Sequence, residues 1–240
     1  MNAFIKISAV CLSAAVIACG CARRNDSAKE QRENYSRALG DSIEIIKQEI
    51  DSCNSVIDST GKRIAEMLGN FVTVANPREV GSYMIYAPMK NKYPAHSTAL
   101  MSRINDSEQF ELIATLSGKP FDMIRVFVAG ASVYSGVVPH DQALNYRSNG
   151  ITTVLFTGEK ADSIGSIIAH HEDDRIIVSY LQGGATADEW ILNADCAKMI
   201  TLTYNLYSAN RELNRLERRV PMLHEKINLL RAHLDRRSGK

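Results

Sequence analysis

Leu39, Ile43, Ile46, Ile50, Cys53, Ile57, Thr60, Ile64 and Met67 succeed one another at alternating steps of four and three. This is the narrow seam of a coiled coil rather than the wider apolar stripe of a globular helix. It predicts a helix over 27–69, opened by the capping-box pattern Ser27-Ala28-Lys29-Glu30 and stopped at Gly69-Asn70. The same rhythm returns at the other end, in Cys196, Met199, Leu202, Leu206, Ala209, Leu213, Leu216, Val220, Leu223, Ile227, Leu230 and Leu234. A second helix is therefore predicted over 186–240, opened by Thr186-Ala187-Asp188-Glu189 and kinked at Pro221.

Between the seams the period changes from about 3.6 to 2. β-Branched and aromatic runs broken by Gly, Pro, Asn and Asp predict strands over 71–75, 82–87, 98–104, 110–116, 124–129, 132–137, 151–156 and 175–181. Residues 161–171 read as a short helix carrying Ile164, Ile167 and Ile168. Ser117-Gly118-Lys119-Pro120 and Ala129-Gly130-Ala131 read as turns, and Gly183-Gly184 as a hinge into the second long helix.

The fold class that follows is α+β. A long antiparallel coiled-coil stalk is made by the N- and C-terminal helices, and a mostly antiparallel β-rich head over 70–185 is inserted between them. The head is expected to be a sandwich or open barrel plus one short helix. Helices of about 40 residues give a stalk of roughly 60 Å. Setting Leu68 beside Asp195 places Cys53 near Asn210 and Cys196 near Met67. Those thiols are then about 20 Å apart, too far for a disulfide, so both are expected as buried free thiols in the seam. A heptad seam equally serves an intramolecular partner or another chain, which leaves monomer and coiled-coil oligomer both open.

The first 18 residues add an address. Lys6 precedes an apolar run over 7–18 that is too short to span a bilayer, which is the form of an export signal. Val16-Ile17-Ala18-Cys19 resembles the lipobox of bacterial lipoproteins. The resemblance implies cleavage before Cys19, diacylation of its thiol, and a short lipid-anchored linker over 19–26. Gly20 follows the cysteine where an inner-membrane retention signal would have Asp. The expected location is therefore the cell envelope, the outer membrane by default, facing the periplasm or the cell surface. Cys21 is a poorer alternative acylation site.

With 28 Lys+Arg against 27 Asp+Glu, the net charge of +1 supplies no field that would gather nucleic acid, and none is expected as a partner. Chemistry must then be local, and no catalytic or metal motif is present, so no cofactor is expected. His170-His171-Glu172-Asp173-Asp174 lacks metal-site spacing and reads as a solvated turn. His140-Asp141 with Ser132 or Ser135 has no ordering group or nucleophile elbow. Tyr83, Tyr86 and Tyr93, with Lys90 and Lys92 between them, are the candidate ligand groove. Arg23, Arg24, Arg231, Arg236, Arg237 and Lys240 would gather beside anionic headgroups if the stalk pairs as described. The function expected is a membrane-anchored lipoprotein whose head binds a protein or glycan partner. The alternatives are an envelope hydrolase using His140, Asp141, His170 and His171, or a coiled-coil structural oligomer.

Overall fold

The computed structural model describes residues 24–75, 81–92 and 95–238. It opens with α1 (Arg24–Leu68), followed by β1 (Phe71–Ala75), β2 (Ser82–Tyr86), a 3₁₀ helix (Ala87–Lys92), β3 (Ala99–Asn105) and β4 (Phe110–Ser117). Next come β5 (Met123–Val128), β6 (Ala131–Tyr134), β7 (Asn145–Ser148), β8 (Ile151–Thr157) and α2 (Glu159–His170). The chain closes with β9 (Ile177–Gln182), β10 (Ala185–Ile191) and α3 (Ala194–Ser238). Residues 49–224 form one compact unit, and residues 1–48 with 225–240 form another.

The class is α+β, as the pattern predicts. In the larger unit a six-stranded sheet runs β1-β2-β3-β4-β8-β7 and a four-stranded sheet runs β10-β9-β5-β6. Every pairing in both is antiparallel. Strand alternation explains the core. On one face of the larger sheet Leu100, Ser102 and Ile104 lie opposite Ala114, Leu112 and Phe110, with Val154 and Phe156 continuing the row. The apolar side chains of this row share one core with Val126, Val178 and Tyr180 of the smaller sheet, Ala161, Ile164 and Ile168 of α2, and Met199 and Ile200 of α3. Gly165 of α2 is where the helix comes closest to the sheet, since a Cβ there would stand 2.6 Å from the Phe110 ring and 2.7 Å from that of Tyr204.

The other face of the larger sheet holds a buried polar centre. Arg103 and Glu111 are register partners, joined Nε to Oε2 at 2.5 Å with side chains only 8% and 7% exposed. Asn105 donates to the second oxygen of Glu111 at 2.8 Å, and the Arg103 guanidinium lies 4.2 Å from the centre of the Tyr83 ring. Removing one member of such a pair leaves a buried charge uncompensated, at about 3–5 kcal/mol.

Within the larger unit, α1 is buried at Ile50, Cys53, Thr60 and Ile64, and α3 at Leu206, Ala209, Leu216 and Leu223. Glu49 of α1 accepts from the guanidinium of Arg219 of α3, through Nε at 2.9 Å and through Nη2. In the smaller unit the buried apolar positions include Ile43, Ile46 and Ile227. Arg219 stands about five residues beyond the position the sequence register assigns opposite Glu49. The offset has a physical cause: the first turns of α3 are committed to the head core, where Met199 and Ile200 are wholly buried.

Three sequence expectations are corrected. Thr186-Ala187-Asp188-Glu189 lies in β10 and opens no helix. α3 starts at Ala194, capped by Asn193, whose side chain accepts the Cys196 N–H at 2.8 Å. Gly183 and Gly184, with φ of 57° and 86°, are the tight turn of the β9–β10 hairpin rather than a hinge. α3 then runs on across Pro221, whose ring leaves no N–H to reach the carbonyl four residues before it. α1 begins at Arg24, earlier than the Ser27 signal.

Candidate ligand cavity beside Trp190

A cavity of about 290 Å³ opens in the larger unit where three local structures meet. The 3₁₀ helix supplies Met89 and Lys92, the entry to β3 supplies residues 95–99 and Met101, and the junction of β10 with α3 supplies Trp190, Asn193, Asp195 and Cys196. Each contribution has a local reason. Trp190 pairs with Val178 and so points to the inner side of an edge strand, where it is half-buried rather than sealed. Asn193 ends the chain's extended course by capping α3, which turns Asp195 and Cys196 toward the cavity. Thr115 holds the segment before β3 by donating to the Ser97 carbonyl at 2.5 Å.

The walls are apolar. Met89, Met101 and Cys196 are 5%, 2% and 5% exposed, and Ala95 and Ala99 complete the lining. Polar groups stand around them: His96, Ser97, Asn193, and an ion pair in which Lys92 Nζ meets Asp195 Oδ2 at 3.3 Å. Burial pushes the Cys196 thiol pKa up, which favours its neutral form in this wall. Burial, then the neighbouring Cys196 and Asp188, also keeps the Tyr180 hydroxyl protonated; it donates to the Ala99 carbonyl at 3.1 Å. An aromatic plate, an apolar floor and a few convergent polar groups suit a single ring or a short side chain with a polar end.

The tyrosine groove expected from sequence is not assembled by the described residues. Tyr83 is 5% exposed and lies against Arg103, whereas Tyr86, three positions on, is on the opposite face and meets Phe71 edge-on at 6.2 Å. Tyr93 lies outside the described residues, as do Cys19, Cys21 and Arg23. Lys92 does line the cavity.

The histidines are separately engaged. His170 donates to its own helix at the Ser166 carbonyl, 2.7 Å away, and His171 meets Asp174 at 2.8 Å. His140 is exposed, and Asp141 accepts N–H groups of Ala143 at 2.7 Å, of Leu144, and of Asn145 at 3.3 Å. Ser135 is wholly buried and donates to the Gly136 carbonyl. Among the described residues no hydrogen bond or ion pair joins His140 or Asp141 to His170 or His171, and no cluster of three His, Cys, Asp or Glu could hold a metal.

Cys53 and Cys196 are both buried and free, as the spacing argument expects, although Cys196 lines the cavity. Among the described residues no helix is long and apolar enough to cross a membrane. The chain matches no protein-family model, and no curated protein or solved structure gives a significant match.

Proposed function

We propose that this chain is a membrane-anchored envelope lipoprotein that presents a β-rich head on a coiled-coil stalk and captures a protein or glycan partner. In this reading Cys19 carries the lipid, α1 and α3 form the stalk, and the Trp190 cavity receives an end group of the partner. The lipobox-like Val16-Ile17-Ala18-Cys19 supports the anchor. The buried seam positions of α1 and α3 and the Glu49–Arg219 pair support the stalk.

The observation that carries the binding role is the cavity itself, an apolar recess faced by the only tryptophan of the chain and rimmed by Lys92 and Asp195. That tryptophan is also the reporter. Titrating the full chain with envelope glycan fragments, and separately with solubilised envelope proteins, should give a saturable change in Trp190 emission for the true partner. The response should weaken at least tenfold in Lys92→Ala or Asp195→Ala at unchanged circular dichroism. Unaltered emission alongside demonstrable capture would move recognition away from the cavity. Labelling cells with an alkynyl fatty acid checks the anchor, with signal expected in the natural chain and none in Cys19→Ser.

A further inference from the structure

The smaller sheet has an outer face whose side chains are set out in a pattern that complements itself. Across β5, β9 and β10 one row reads Arg125, Ser179, Glu189, and the next reads Phe127, Ile177, Ile191. In the first row Arg125 Nη2 donates to Ser179 Oγ at 3.0 Å, Ser179 Oγ donates to Glu189 Oε2 at 3.1 Å, and Arg125 stands 3.8 Å from Glu189. Positive charge thus lies on one side of β9 and negative charge on the other. In the second row Phe127 is 39% and Ile191 50% exposed, a cost in apolar surface that a single copy gains nothing from.

We propose that this face is a self-association surface, on which a second copy of the chain packs about a two-fold axis running along β9. Such an axis exchanges β5 with β10 and leaves β9 over β9. Arg125 of each copy then faces Glu189 of the other, Phe127 faces Ile191, and Ile177 meets its own equivalent at the centre. This is the reciprocal contact that an isologous dimer requires. Sheets packed face to face stand about 10 Å apart, within reach of opposed Arg and Glu side chains. Tyr134, 51% exposed and paired with Arg125 on β6, falls just beyond the facing copy's β10 and covers its open edge. A different protein would need no complement between the two flanks of β9; a second copy does.

The face is small. Four strands about 4.8 Å apart and about six residues long span roughly 19 by 20 Å, or about 400 Å² per copy. That is under the ~1,200 Å² total of stable complexes, so the dimer is weak and favoured by crowding on a surface.

Charge reversal tests the arrangement in the full chain, held in detergent and followed by sedimentation over a concentration series. The natural chain should show a dimer fraction that rises with concentration. Arg125→Glu and Glu189→Arg should each lower the association constant at least tenfold, because like charges then oppose. An equimolar mixture of the two variants should regain dimer, since each copy supplies the charge the other now lacks. Ile177→Cys should be joined copy to copy by a short bis-maleimide, whose span suits sheets about 10 Å apart where a direct disulfide would not reach, whether or not either reversal folds. A natural chain that stays monomeric throughout, single reversals that dimerise like the natural chain, a mixture that fails to recover, or an Ile177→Cys chain that gives no cross-link would each overturn the proposal.

Discussion

At the scale of single residues, space and charge decide the sign of a substitution. Gly61 and Gly165 are both helical, and alanine is favoured over glycine in a helix by about 1 kcal/mol. At Gly61 a Cβ meets nothing within 4 Å, so Gly61→Ala should raise the denaturation midpoint by up to about that amount. At Gly165 the same methyl would enter the rings of Phe110 and Tyr204, and overpacking costs about 1–3 kcal/mol. Gly165→Ala should therefore lower the midpoint despite its better helix propensity.

Asp141 gives a pH dependence. Its carboxylate accepts N–H groups from Leu144 and Ala143, chiefly, and from Asn145, which hold its pKa below the usual aspartate value of 3.8. A depressed folded-state pKa contributes stability that is complete above the unfolded value and fades as pH falls through the folded one. Asp141→Asn should consequently lower stability most at neutral pH, with the deficit shrinking as pH falls below about 4, so that the acid side of the profile flattens, as thermal melts from pH 7 downward would show. The Asx-type turn at Asp141 has a residue-type signal, but many aspartates carry the same one, so the sequence alone does not single out this loop.

Elements were legible where the period was clean. β1 falls where the alternation of Phe71-Val72-Thr73-Val74-Ala75 puts it, and the long helices follow their seams. β7 was missed: Asn145-Tyr146-Arg147-Ser148 is short and polar, and only Asn145 is buried. Its signal lay in the turn that follows. Asn149 and Gly150 both take positive φ, 51° and 78°, the geometry that matches a tight hairpin to strand twist. Replacing both with alanine should cost about 1–2 kcal/mol per residue in backbone strain. Hydrogen exchange should show the loss first in the β7–β8 amides. β10 was missed for a different reason, since a register shift between Thr186 and Asp188 breaks its alternation just where a capping pattern occurs by chance.

At the scale of the whole molecule, the cavity was not legible because its parts are distant in sequence: Lys92 and Asp195 are 103 residues apart. Trp190 carries no signal of its own, because the strand that holds it has a broken alternation. What could be read was the class, two long helices flanking a β-rich segment with a short helix in it, and the lack of a Cys53–Cys196 disulfide. The register between α1 and α3 could not, because nothing in a heptad seam says how many of its turns belong to the head.

That allocation of α3 also orders events in time. Glu49 and Arg219 are separated by 170 residues, and the core shared by both sheets contains Met199 and Ile200. A chain emerging N-terminus first has made every strand before it can close that core, and the seam of α1 waits longer still. A chain ended at residue 192 should therefore be soluble only with a chaperone and bind a hydrophobic dye, although it contains all ten strands of the described residues. α3 is thus a checkpoint: chains that stop short of it remain recognisably unfinished to the quality-control proteases that would meet them.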